Sequence, residues 1–265
     1  MDKQYSTRTG LLAYFDILGY QNFILHSNIQ LMAKIIHEVI LPVPDFVRNE
    51  IAKKLAIGDA AWTAEVMAKC IGKPVVISDS IVWDISFKPS LKEGKYPQWL
   101  LFIGGCCHLQ RLMFDQGLPL RGAISYGEYY IEKGCFAGKP VVDAHGVSSK
   151  LDLVGCGLTL QAEKELPAGD FGGIDALGGL LETYTTPLKG CKAPNMKLLN
   201  WAFPGGTLLK PFGDDIRGRV VESFSRYGKP IPIEVYDKVT NTEAFLKGCK
   251  AAKQVWDMEN PPPEG

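Results

Sequence analysis

Leu11-Leu12-Ala13-Tyr14-Phe15-Asp16-Ile17-Leu18-Gly19-Tyr20 runs a mostly apolar stretch into one acid, then a short apolar step and a glycine. An apolar run of this length bounded by a turn residue predicts a buried strand with a carboxylate at its C-terminal end. Gly19 permits a tight turn, and the residues after it predict a helix. The free N–H groups of a helix start can hold a phosphate, and Asp16 can hold a cation beside it. A second stretch has related chemistry. Pro74-Val75-Val76-Ile77-Ser78-Asp79-Ser80-Ile81-Val82-Trp83 sets two short apolar runs around Ser-Asp-Ser, which predicts a hairpin with an acid at its tip. Two acids at strand ends in an apolar setting can share two divalent ions and clamp a triphosphate.

Outward from these stretches, the chain alternates short elements. Ser27-Asn28 caps a stretch whose apolar positions, Leu31, Met32, Ile35, Ile36, Val39 and Ile40, make one helical face, ended by Pro42 and Pro44. Phe46, Val47, Ile51 and Leu55 predict another short helix, and Trp62, Val66 and Met67 a third. Lys88 to Pro97 reads as a polar loop. Trp99 to Gln116 is a strongly apolar helix, in which Cys106, Cys107 and His108 read as core. Residues 118–131 read as strand, glycine break, strand. A helix follows over Val141 to Leu151, then a strand over Val154 to Leu160. This order matches an α+β, split βαβ, ferredoxin-like core. Asp170 to Leu181 is Gly-rich and ambiguous. Two strands and two helices, Asp214 to Arg226 and Glu234 to Trp256, follow before a Pro-rich tail. Residues 1–165 are expected to form the core and 166–265 a C-terminal α/β extension packed on the same domain.

Composition narrows the classes. The chain has 265 residues, 46% hydrophobic and 22% charged, which supports a sizeable core. Lys+Arg and Asp+Glu are both 29, so net charge points neither to nucleic acid nor to an anionic membrane. No apolar run reaches the roughly 18 residues of a membrane span. The first residues lack the apolar core of a signal peptide. The 7 cysteines show no Cys-x-x-Cys pair and are expected to be reduced, in a cytoplasmic protein.

Phe15-Asp16-Ile17-Leu18-Gly19-Tyr20 resembles the first metal motif of the class III nucleotide cyclases, Phe-x-Asp-Ile-x-Gly-Phe. Ser78-Asp79-Ser80 resembles the hairpin with their second metal Asp. Arg121-Gly122-Ala123-Ile124-Ser125-Tyr126-Gly127 resembles their Arg-x-Gly-Ile-His-x-Gly strand, and residues 135–144 their following Gly-x-x-Val segment. The pieces stand in the family's order. Gly127-Glu128-Tyr129-Tyr130, Phe136 to Ala144, Leu199-Asn200-Trp201 and Asn241 to Leu246 are similar to the pyrimidine cyclases of the Pycsar anti-phage systems.

The resemblance implies conversion of UTP, ahead of CTP, to a 3′,5′-cyclic nucleotide and pyrophosphate, signalling in antiviral defence. Asp16, Asp79 and the carbonyl of Ile17 would hold two Mg²⁺ or Mn²⁺ ions, with Arg121 catalytic. Phe15, Leu18, Gly19 and Tyr20 would face substrate, the last three through amides that cradle phosphate. The site would lie between the subunits of a homodimer, and the product would act on a separate cyclic-nucleotide-responsive effector. Purine-reading cyclases carry a Lys four residues before the second metal Asp. Val75 stands there, with Lys73 nearby, which suits a pyrimidine. The family's transition-state Asn and Arg lack clear counterparts: with Gly138 aligned to the family's Gly they fall on Val142 and Gly146, and with a one-residue slip on Asp143 and Val147, so cationic help falls to Arg121, Lys139 or Lys150. Cys135 stands where guanine-specific cyclases have a Cys. A purine cyclase and a catalytically silent nucleotide-binding module are the alternatives.

Overall fold

A computed structural model describes residues 7–55, 70–87, 96–167, 177–204 and 211–259. The expected helix at Trp62 to Met67, most of the polar loop at 88–97, much of the Gly-rich stretch and the tail lie outside them. The chain is α+β. Strand β1 (Arg8–Ile17) leads to helices α1 (Tyr20–His26) and α2 (Ile29–Ile35), a π-helical turn (Ile36–Ile40) and α3 (Pro42–Leu55). Pro42 and Pro44 therefore open α3 rather than ending structure. The first turn of a helix has no intrahelical N–H bonds for a proline to break. Then come β2 (Val75–Ile77), β3 (Ser80–Ser86), α4 (Tyr96–Asp115), β4 (Leu120–Glu132), β5 (Cys135–Ala137), α5 (Lys139–Ser148), β6 (Gly155–Leu158) and α6 (Leu160–Lys164). The remainder is β7 (Leu181–Leu188), β8 (Cys191–Leu199), α7 (Ile216–Ser225), two short 3₁₀ turns and α8 (Tyr236–Glu259).

Among the described residues the strands form one mixed sheet in the order β2-β3-β1-β4-β6-β8-β7, with β5 paired to β4. β1 is antiparallel to both β3 and β4, and β4 is parallel to β6. β4 runs unbroken through Gly122, which pairs with Phe15, and Gly127, which pairs with Gly10, so the expected glycine break is absent. β8 continues the sheet from β6, and Trp201 and Phe245 share one buried cluster with Phe102 and Ile124. The segment after residue 165 thus adds to the same sheet and core.

Side chains of β1 alternate between faces, as extended backbone requires. Leu11, Ala13, Phe15 and Ile17 enter the main core, which includes α4 residues Phe102, Ile103, Cys106 and Leu109. Leu12 and Tyr14 face the other way, against Val82, Ala123, Tyr129 and Ala144 of α5. Asp16 has the parity of this second, thinner layer. No described helix is long and apolar enough to cross a membrane. All 7 cysteines are free thiols.

The turn after α7 is fastened by a buried lysine. Lys229 Nζ donates to the carbonyls of Gly117 (2.6 Å) and Ser223 (3.4 Å). Burial, helped by Arg226, lowers its ammonium to about 8 from an ordinary value of 10.5. Below pH 8 both folded and unfolded chains carry this proton, and the cost of burying the charge is fully present. Between about 8 and 10.5 only the unfolded chain keeps it, so stability rises with pH. From pH 7.5 to 9.5 wild type should gain about 2 kcal/mol relative to Lys229→Met, measured by urea unfolding. Parallel pH curves for the two proteins would refute the assignment.

Candidate active site at the end of the central strand

β1 ends where Asp16 sits across from Ser80 on β3 and Arg121 on β4. Period-two alternation sends Asp16 to the α5 side, with Leu12 and Tyr14. Arg121 reaches the same side. Its Nε and Nη2 both lie 2.7 Å from Asp16 Oδ2, and its Nη1 donates to the Ser149 carbonyl just past α5 (3.3 Å). The pair is sheltered, at 16% and 19% side-chain exposure. Shelter from water strengthens such a charge-assisted, double-donor contact.

The β2–β3 hairpin turns on two residues, Ser78 and Asp79, with Ser78 at φ 55. Its tip is tied to β1 by the Ile17 amide, which donates to the Asp79 carbonyl at 2.8 Å. Tyr14 Oη and Ser80 Oγ are 2.7 Å apart on the same edge. Tyr20, first in α1, has its hydroxyl pushed up by burial and by the negative charge of Asp79. Asp16, Asp79, Arg121, Ile17 and Tyr20 are therefore neighbours drawn from three separate parts of the chain. Gly122 beside Arg121 is required by packing, since a Cβ there would lie 2.4 Å from the Phe15 ring.

Several expected site residues have other roles. Phe15 is fully buried on the opposite face of β1, so its side chain packs and does not meet substrate. The Leu18 amide already donates to the Pro119 carbonyl at 2.8 Å, so it offers nothing to a phosphate. Lys73 is exposed and lies 3.6 Å from Asp45. Cys135 is exposed at the far end of the β4–β5 hairpin, roughly 35 Å along the strand from Arg121. Within one chain neither joins Asp16. Lys150 is closer, one residue past Ser149. With Lys139 and Lys164 it lines a cleft of about 520 Å³ that also includes Val142, Gly146 and Met196.

The fold also brings in residues that local sequence does not mark. Lys189, at the β7–β8 turn, donates its amide to the Lys150 carbonyl (2.8 Å). Its ammonium is lowered by burial and then by Arg121 and Lys238, while Asp152 and Asp16 oppose this. Asp152 binds Lys238 Nζ (2.9 Å), and its carbonyl accepts from Asn241 Nδ2 (2.9 Å). A Lys-Gly pair between two alternating strands was the available signal for Lys189. Asp152 and Lys238 had none, being 86 positions apart and joined only by tertiary packing.

Asp16, Asp79 and the Ile17 carbonyl are hard oxygen donors of the type Mg²⁺ takes, and two carboxylates with one carbonyl would leave its remaining positions to water and phosphate. Among the described residues no cluster of three or more ligating side chains occurs, so nothing here forms an all-protein metal cage. Arg121 occupies Asp16 Oδ2, and a metal at that oxygen has to displace it. Comparison with protein-family models and with curated proteins finds no match to this chain.

Proposed function

We propose that the chain is a pyrimidine nucleotide cyclase, converting UTP to a 3′,5′-cyclic nucleotide and pyrophosphate. The observation that carries this reading is the pairing of Asp16 with the Asp79 tip through the Ile17 amide, with Arg121 on the same edge. The strand order β2-β3-β1-β4, all antiparallel and joined as strand, helices, hairpin, helix, strand, supports a ferredoxin-like core beneath it. Asp16, Asp79 and the Ile17 carbonyl would hold two Mg²⁺ or Mn²⁺ ions. Bound there, the ions would acidify the attacking 3′-hydroxyl and neutralise the triphosphate.

The chain's own residues orient that chemistry. The backbones that carry Asp16 and Asp79 are held to one another by strand pairing and by the Ile17 amide, so the rearrangement on binding is confined to side chains, Arg121 above all. Arg121, released from Asp16, remains tethered at Ser149 and turns its charge toward phosphate. In the implied homodimer, the lysine-lined cleft at α5 supplies the cations that Val142 and Gly146 cannot. The absent purine-reading Lys, with Val75 in its place, favours a pyrimidine base. We assign the product a signalling role in antiviral defence, through a separate effector.

Purified protein with Mn²⁺ and each of the four ribonucleoside triphosphates tests this by chromatography. Cyclic UMP is the expected product. A cyclic purine would keep the reaction and reject the base assignment. Nucleotide binding without pyrophosphate release would favour the silent module, which the Arg121–Asp16 pair also suits, since it already neutralises one metal acid.

A further inference from the structure

We infer that the cavity between the Leu18–Gly19 turn and the C-terminal segment is an anion pocket, in which Lys238 grips the distal phosphates of the bound triphosphate. The inference rests on the cyclase reading for the identity of the anion. The cavity, about 80 Å³, is lined by Leu18, Gly19 and Asn22 on one side and by Lys229, Ile231 and Lys238 on the other. Two lysines line it and no carboxylate does. The wall is otherwise apolar apart from Asn22, and Asp152 behind it offsets one of the two charges, which leaves the lining net positive and favours an anion.

The two lysines contribute differently. Lys229 Nζ is committed to the Gly117 and Ser223 carbonyls, so it adds charge without reach. Its Cδ stands 4.0 Å from where a Gly19 Cβ would be, so its stem closes the cavity behind the turn. Lys238 gives one N–H to Asp152 Oδ1 at 2.9 Å and has two others to offer. Its side chain is 16% exposed, which keeps the ammonium partly out of bulk water.

Position follows from the chain. Gly19 is three residues beyond Asp16, at φ 74, and a side chain there would be strained. A triphosphate whose α-phosphate lies at Asp16 and Asp79 can run its distal phosphates over this bare turn to the cavity. Charge agrees with it. Without metal, Asp16 and Asp79 against Arg121 leave the edge net negative, so an anion bound to the metal-free protein must be held by cations from elsewhere. Lys238 arrives from α8, in the same chain.

The test uses the full chain, with inorganic pyrophosphate as probe in metal-free calorimetry and UTP kinetics beside it. Wild type should bind pyrophosphate. Lys238→Gln should weaken that binding about tenfold or more and raise KM for UTP similarly, with kcat little changed. Lys238→Arg should restore binding. Asp152→Asn, which loosens the dock but keeps the ammonium, should bind at least as tightly as wild type. No pyrophosphate binding by wild type overturns the inference. So does Lys238→Gln binding pyrophosphate like wild type while both it and Asp152→Asn melt early, because Lys238 then only docks α8. Pyrophosphate held through Lys238 in a protein that makes no cyclic nucleotide supports the pocket and rejects the cyclase reading. Cyclic product with an unchanged KM in Lys238→Gln rejects the pocket alone.

Discussion

Asp79→Ala is expected to lower cyclic-nucleotide formation about a thousandfold and to leave the melting temperature where it is. A thousandfold loss corresponds to about 4 kcal/mol of transition-state stabilisation. The fold is spared because the hairpin tip is held by the Asp79 carbonyl, which still accepts from Ile17 after the side chain is gone. Asp16→Ala should lose as much turnover but behave differently as a protein. It strips Arg121 of the partner on which two of its nitrogens converge at 2.7 Å. The lost pair costs about 1 kcal/mol of stability, since both side chains keep some water contact. Chromatographic product assay and thermal unfolding, run on both variants, separate the two effects. Full turnover in either alanine variant would falsify the metal role.

Asp84→Ala should destabilise the protein by about 2–3 kcal/mol, the cost of leaving a buried hydroxyl without its acceptor. Asp84 is 1% exposed on β3. It accepts from Tyr129 Oη on β4 at 2.9 Å and from Arg8 Nη1 on β1 at 3.1 Å, so one carboxylate ties three strands. Alanine leaves the Tyr129 hydroxyl buried without this acceptor. Asp84→Asn should cost only about 1–2 kcal/mol. It keeps an acceptor for Tyr129, and Arg8, whose side chain is 41% exposed, can turn to water.

The pH dependence has a definite sign. Burial raises the Asp84 carboxyl above its ordinary value, against the opposing pull of Tyr129 and Arg8. Its contribution to stability is therefore fullest below the ordinary carboxylate range and declines as pH rises through the raised value. Asp84→Asn should flatten that part of the urea-midpoint profile. An Asp84→Ala protein within 1 kcal/mol of wild type would mean that the network does not hold the strands.

The elements that sequence makes legible are those governed by local rules. The apolar run of β1, the Ser-Asp turn of the β2–β3 hairpin and the long apolar α4 all stand close to where periodicity and turn chemistry put them. Asp16 and Asp79 were visible because an acid ending an apolar run is a local anomaly. Phe15 shows the limit. It lies beside Asp16 in sequence, yet strand alternation puts it on the opposite face, and only the identity of the buried face distinguishes the two. The Leu18 amide looked free because its acceptor, Pro119, is a hundred residues away. Asp152 and Lys238 were silent for the same reason. Charged residues in a turn or on a helix carry no local sign of which loop they will meet.

The docking of α8 has a consequence in time. Val154 gives its amide to Thr242 Oγ1, and the Asp152 carbonyl accepts from Asn241, partners 88 and 89 positions later. The turn between Ser149 and Asp152, on which Arg121 rests, is first held by the β7–β8 hairpin, through Pro187 and Lys189, and receives its last ties only after α8 has emerged from the ribosome. Chains stalled before that point carry Asp16 and Asp79 but lack those last ties beneath the arginine that faces Asp16. Synthesis itself then acts as a clock, and this edge of the sheet takes its final shape last.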